Sequence, residues 1–193
     1  MQSLTSRLIL FVATIVTACA PASDPETAAS PIVAGTRRIE GVAGEQGPSI
    51  EQRAPDGTVI QKLVAPPAAV WDALVAALSA RKVTPTILDR AVGRAGDTSL
   101  VLIYRWNGQP LSRYLSCGSS MTGPKADQER VRAILLAQLT KLHADTVAIA
   151  VHFSGGSYPV ASGNSGAPSQ CTSTGRAERE LIEDVAQRAG VRR

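Results

Sequence analysis

Glu129 to Phe153 reads ERVRAILLAQLTKLHADTVAIAVHF, and the fold turns on whether its first half is a helix or a strand. Rich in Ala, Leu and Gln, that half would suit a helix with Val131, Leu135, Leu139 and Leu142 on one stripe. The second half, TVAIAVHF from Thr146 to Phe153, is a strand by its β-branched residues. Only His143-Ala144-Asp145 separates the two. A hairpin is the simpler way to use so short a turn, so residues 129–142 are read as a strand returning into Thr146–Phe153.

Upstream, TVIQKLVA (Thr58–Ala65) reads as a strand after an Asp56-Gly57 turn. Pro66-Pro67 ends it and opens a helix, because proline suits the first helical position. In AAVWDALVAALSARKV, Val70, Trp71, Leu74, Val75 and Leu78 recur at helical spacing, which makes Trp71 a core anchor. Asp72 early and Arg81 and Lys82 late suit the helix dipole. TPTILDRAVG and DTSLVLIYRW follow as strand segments, separated by a turn read at Gly93-Arg94-Ala95-Gly96. The second is read as buried on both sides at its start and open at its end. Asn107-Gly108 is a hairpin signal leading into Pro110–Gly118, where Leu111, Arg113 and Leu115 alternate as in a strand. Near the C-terminus Ala177, Leu181, Ile182, Val185 and Ala189 form one helical face, with Ser173 or Thr174 as cap and Gly190 as stop. The expected fold is α+β, a single antiparallel sheet packed by two helices in the order β-α-β(n)-α.

The N-terminus carries an address. Residues 1–18 combine Arg7, an apolar run from Leu8 to Val16, and small residues before a cysteine, which is the layout of a secretory signal. The run is too short for a stable membrane span. Val16-Thr17-Ala18-Cys19 resembles the bacterial lipobox, and the resemblance implies lipid attachment at Cys19 and cleavage just before it. Ala20 in place of an aspartate after Cys19 implies the periplasmic face of the outer membrane where the organism has one. The other reading is an ordinary secretory signal with Cys19 incidental; both export the chain. Residues 19–55 are rich in Ala, Pro, Gly, Ser and Glu, lack aromatic residues, and read as a flexible tether with a reach of roughly 30–35 Å. Residues 56–190 are the size of one domain.

The chain has three cysteines. With Cys19 lipidated, Cys117 and Cys171 remain as an even pair in an oxidising compartment, and a bond between them is the natural reading. The alternatives are two free thiols, or a metal site with His143 and His152, which no CxxC or HxxxH spacing supports. The formal net charge of +4 is mildly basic. Few aromatics, no long Lys/Arg run and an exported address make nucleic acid a poor partner.

The plan β-α-β(n)-α, VWDAL on the first helix, YLSCG, and CTSTGRAERELI before the last helix together resemble a bacterial lipoprotein domain. Its relatives include the BamC-like helix-grip domains of the outer-membrane β-barrel assembly machinery. The similarity spans most of residues 56–190 and rests on structural motifs, so it transfers no catalytic residue. BamC has two such domains where this chain has room for one.

GNSGAP at residues 163–168 looks like the loop carrying the nucleophile of trypsin-like and glutamyl-type proteases, with Ser165 as the serine. Such enzymes need a histidine and a carboxylate well separated from that serine on two barrels. Here the only histidines, His143 and His152, fall close before it. The stretch GSYPVASGNSGAPSQ reads instead as a surface loop. No P-loop, GxSxG elbow, dinucleotide turn or metal motif is present, so no cofactor and no catalytic residue is expected. The expected function is a non-catalytic envelope accessory or scaffold module that is anchored to a membrane through Cys19 and binds an envelope protein. A small-molecule or lipid carrier is the alternative, and a serine hydrolase using Ser165 a remote one.

Overall fold

The computed structural model describes residues 52–54, 56–160 and 168–191 and shows a mixed α+β fold. Strands β1 (Gln52–Arg53) and β2 (Val59–Leu63) precede helix α1 (Pro67–Ala80). Next come β3 (Ile87–Asp89), β4 (Arg94–Ile103), β5 (Arg105–Trp106) and β6 (Gln109–Pro110). A 3₁₀ turn at Leu111–Arg113 leads to β7 (Leu115–Ser116), β8 (Ser119–Ser120) and β9 (Gly123–Pro124), and a second at Lys125–Asp127 follows. The chain closes with β10 (Arg130–His143), β11 (Thr146–Tyr158), β12 (Ser169–Ser173) and helix α2 (Arg176–Arg188).

The stretch that opened the sequence question is a hairpin of two long strands. β10 and β11 pair antiparallel from Arg130 opposite Tyr158 to His143 opposite Thr146. Every described strand pair is antiparallel, and the main sheet runs β1-β2-β11-β10-β4-β5-β6. Period-two alternation decides which face is inside. Val131, Ala133, Leu135 and Ala137 of β10 and Val147, Ile149, Val151 and Phe153 of β11 are all buried, whereas Arg132 and Ile134 are exposed. A helix would have buried a stripe at every third or fourth residue; tertiary pairing overrode the helical propensity of Ala, Leu and Gln.

Both helices cover this inner face. α1 buries Val70, Trp71, Ala73, Leu74, Ala77 and Leu78, with Val75 at the edge of the core. α2 buries Ala177, Leu181, Ile182 and Val185, the face expected from its sequence. Each large aliphatic side chain contributes roughly 1.5–3 kcal/mol by leaving water. α2 ends where Gly190 follows, with Val191 N–H bonded to Ala186 O and Gly190 N–H to Gln187 O. None of the described helices is long and apolar enough to cross a membrane.

Several local expectations need correction. The turn read at residues 93–96 lies three residues earlier, at 90–93, because β4 begins at Arg94. Gly96 is a within-strand glycine: a Cβ there would lie 2.1 Å from Leu135 O, beside the bulge of β10. Gly156, read as the start of the loop, likewise sits inside β11. Farther along β4, Leu102 is buried and Val101 and Ile103 exposed, so only one face is covered there. Pro110–Gly118 is not one strand, since the 3₁₀ turn places Leu111, Tyr114 and Leu115 all in the core. Asp127 fixes that turn by accepting the Ser112 N–H at 2.8 Å and its hydroxyl at 2.6 Å. Gly175, not Ser173 or Thr174, immediately precedes α2; Ser173 Oγ accepts the Gly175 N–H at 2.9 Å and Thr174 Oγ1 the Arg176 N–H at 3.4 Å. Asp72 lies beyond the first turn of α1 and pairs with Arg90 on the surface. Finally, Gln52–Arg53 already belong to the sheet, ahead of residue 56, and Arg53 donates to Ser173 O at 2.7 Å.

Candidate functional site

A cleft of about 870 Å³ lies where the C-terminal end of α1, the upper end of β4, the β5–β6 hairpin and α2 meet. Its floor is aromatic and aliphatic. Trp106 is buried there because it stacks on Phe153 (centroids 5.2 Å apart) and takes Tyr114 edge-on (5.4 Å). Asn107 and Gly108 turn the hairpin with φ of 49° and 75°, the left-handed pair that a two-residue turn requires. That turn brings Arg105 and Gln109 to the rim, where Gln109 Oε1 accepts from Arg113 at 3.0 Å.

Arg81 fastens the two helices at one side of the cleft. Its guanidinium donates to Ala77 O (3.0 Å), Glu180 O (2.7 Å) and Asp184 Oδ2 (2.5 Å). Arg188 Nε reaches the other oxygen of Asp184 at 2.6 Å. Burial pushes the Asp184 carboxyl up, but the two guanidinium bonds outweigh it and hold the pKa below the ordinary carboxylate value. Glu180 accepts from Arg176 Nε at 2.8 Å and from the Tyr114 hydroxyl at 3.1 Å. Burial, together with the Glu180 charge, pushes the Tyr114 phenol up, so it stays a donor. The carboxylates on the lining are therefore matched within the protein.

Three cations on the lining are not. Among the described residues Lys82, Arg105 and Arg113 form no ion pair, and all three line the cleft. Leu100, Val101 and Leu102 line it as well. Consecutive strand residues point to alternate faces, so three in a row along one cleft mean that it runs beside the strand's edge and its main chain. Pairing agrees. On the side away from β10, β4 meets β3 only at Arg94–Gly96 and β5 only at Ile103. Thr86 Oγ1 accepts the Thr98 N–H and Asp97 Oδ1 the Ser99 N–H, so side chains cover the next stretch. Among the described residues nothing pairs with that edge at Leu100–Leu102.

Of the residues singled out from sequence, Cys117 and Cys171 are joined in a disulfide. It sits beside the β7–β12 ladder, next to the Ser116–Thr172 pair. Cys19 and Ser165 lie outside the described residues. His143 is exposed at the tip of the hairpin, while His152 faces the outer side of the sheet between Thr58 Oγ1 (3.2 Å) and Ser154 Oγ (2.9 Å). Thr146, opposite His143, is six positions from His152, about 20 Å of strand. The two histidines do not converge, and both described cysteines are used by the disulfide, so the alternative metal site is not assembled. No group of three or more metal-ligating side chains occurs among the described residues. The cleft itself was not read from sequence. Arg105 and Arg113 flank the Asn107-Gly108 signal, which could have placed them together; the open edge leaves no sequence mark.

No known family model matches the chain, and no curated protein matches it.

Proposed function

We propose that this protein is a cell-envelope lipoprotein, anchored to a membrane through lipid on Cys19, whose helix-grip, BamC-like domain is a non-catalytic accessory or scaffold module binding a protein partner. One observation carries the reading. The space between sheet and helices is filled, with Val59, Val70, Leu74, Leu78, Leu135, Ile149, Val151, Leu181 and Ile182 at 0% exposure, while the cleft described above lies outside this core along a strand edge. A carrier would need an enclosed apolar cavity; the cleft here opens at the surface and mixes cations with apolar residues. The leader, the lipobox-like Val16–Cys19 and the oxidised Cys117–Cys171 pair support the exported address.

The test is a photo-crosslinking side chain at Val101 in intact cells, with the same group at exposed Leu142 as control. The expected outcome is a protein adduct from Val101 that is absent from Leu142. Adducts only to lipid, or none, would count against the reading, as would loss of the membrane association in normal cells and its persistence after Cys19→Ala.

A further inference from the structure

We infer that the occupant of this cleft is an extended acidic segment of the partner protein, added as a further strand along the open edge of β4 at Leu100–Leu102. The inference rests on the protein-binding reading above and names the partner's chemistry.

Three observations carry it. First, among the described residues no strand pairs with the outer edge of β4 at Leu100–Leu102. β3 covers β4 at Arg94–Gly96, and the side chains of Thr86 and Asp97 occupy the N–H groups of Thr98 and Ser99. Leu100–Leu102 have β10 on one side and the cleft on the other. Alternate residues of an antiparallel strand direct N–H and C=O away from the paired neighbour. An edge of this kind is usually blunted, because it invites pairing. A phosphate would use its donors and leave its acceptors unmet, whereas an extended peptide satisfies both.

Second, the charge around the edge is one-sided. Among the described residues Lys82, Arg105 and Arg113 have no carboxylate partner, while Glu180 and Asp184 are held by Arg176, Arg81 and Arg188. Carboxylates on the incoming strand would meet these cations. A second copy of this chain pairing edge to edge would bring the same cations against one another, which disfavours it. Third, the strand beside the cleft is apolar, with Val101 and Ile103 about half exposed and Leu102 and Trp106 buried, so side chains alternating with the carboxylates have apolar surface to cover.

The experiment titrates the full chain with a dye-labelled, end-capped hexapeptide alternating glutamate and valine, read by fluorescence anisotropy at low ionic strength. Two versions N-methylated at alternate residues, one in each phase, test main-chain pairing, and a lysine-for-glutamate version tests charge. Binding of the acidic peptide is expected to weaken at least tenfold in one N-methylated phase and to vanish with the lysine peptide. It should also weaken at least tenfold in a Lys82→Glu, Arg105→Glu, Arg113→Glu variant. A triple Gln variant at the same positions should be intermediate, which guards against a charge-reversed chain that fails to fold.

Equal binding of the parent and both N-methylated peptides would overturn strand addition, as would unchanged binding to the charge variants. A dimer in sedimentation that blocks the peptide would assign the edge to a second copy and overturn the proposal too. A protein adduct at Val101 in cells combined with no acidic-peptide binding would sink this inference alone. Absence of any protein adduct at Val101 would remove the functional reading and this inference with it.

Discussion

The two halves of β4 differ in a direction opposite to their own sequences. The lower half, Arg94-Ala95-Gly96-Asp97, is a poor strand by propensity, yet Ala95 to Asp97 are buried, and strands pair with it on both sides as far as Gly96. The upper half, Leu100-Val101-Leu102-Ile103, is the better strand by composition, yet among the described residues Leu100–Leu102 pair on one side only, and Val101 and Ile103 are exposed. What the rest of the chain lays beside a strand, rather than the strand's own residues, decides which part is structural and which is free to bind. The covered half holds the fold, and the open half faces the cleft.

The largest predicted effect comes from the covalent link near the open half. Cys117→Ala with Cys171→Ala removes a bridge between residues 54 apart in sequence and should cost roughly 4 kcal/mol in urea unfolding under non-reducing conditions. Next is the covered half itself. Gly96 has φ of 155° and no room for a Cβ, so Gly96→Ala should cost about 3 kcal/mol in thermal unfolding. Asp127→Ala frees the Ser112 N–H and hydroxyl that shape the 3₁₀ turn below the cleft, at an expected cost of about 1–2 kcal/mol. Val101→Thr in the open half should change stability by no more than about 0.5 kcal/mol, since its side chain is 53% exposed. A loss there as large as that of Gly96→Ala would erase the difference between the halves.

A smaller effect is expected from pH. Glu178, at the start of α2, is fully buried, and neither carboxylate oxygen has a hydrogen-bond partner among the described residues. Burial pushes its pKa up, with Ser173, Arg53 and Arg179 offsetting only part of the shift. The folded pKa is above the unfolded one, so this group's contribution to stability is greatest below the unfolded pKa and declines as pH rises through the folded value. Glu178→Gln should remove that decline. Unfolding curves of the two proteins should then separate in the variant's favour as the pH is raised from acid to neutral, and identical pH profiles would contradict the assignment.

Much of the architecture was legible because its signals were periodic. The Leu181, Ile182 and Val185 face specified α2, and the three-residue turn at His143-Ala144-Asp145 left room for little but a hairpin. Glycine was the main source of error. Gly96 and Gly156 look like punctuation in sequence, but both sit within strands, and at Gly96 the main chain of β10 comes too close for a Cβ. Pro110–Gly118 misled for a different reason: alternation of Leu111, Arg113 and Leu115 fits a strand until Tyr114 is drawn into the Trp106–Phe153 stack. The cleft was illegible because its defining feature, an edge without a neighbour, belongs to topology. Its cations come from three separate segments, at Lys82, Arg105 and Arg113, which only the hairpin and the end of α1 bring together.

Residue-resolved amide hydrogen exchange along β4 tests the contrast between its halves most directly. Protection in Arg94–Gly96 should approach that of Leu135–Leu139 in β10, while at least one outward N–H among Leu100–Leu102 should exchange orders of magnitude faster. Uniformly slow exchange from Arg94 to Ile103 would mean that the upper edge is already paired, and would contradict an open binding edge.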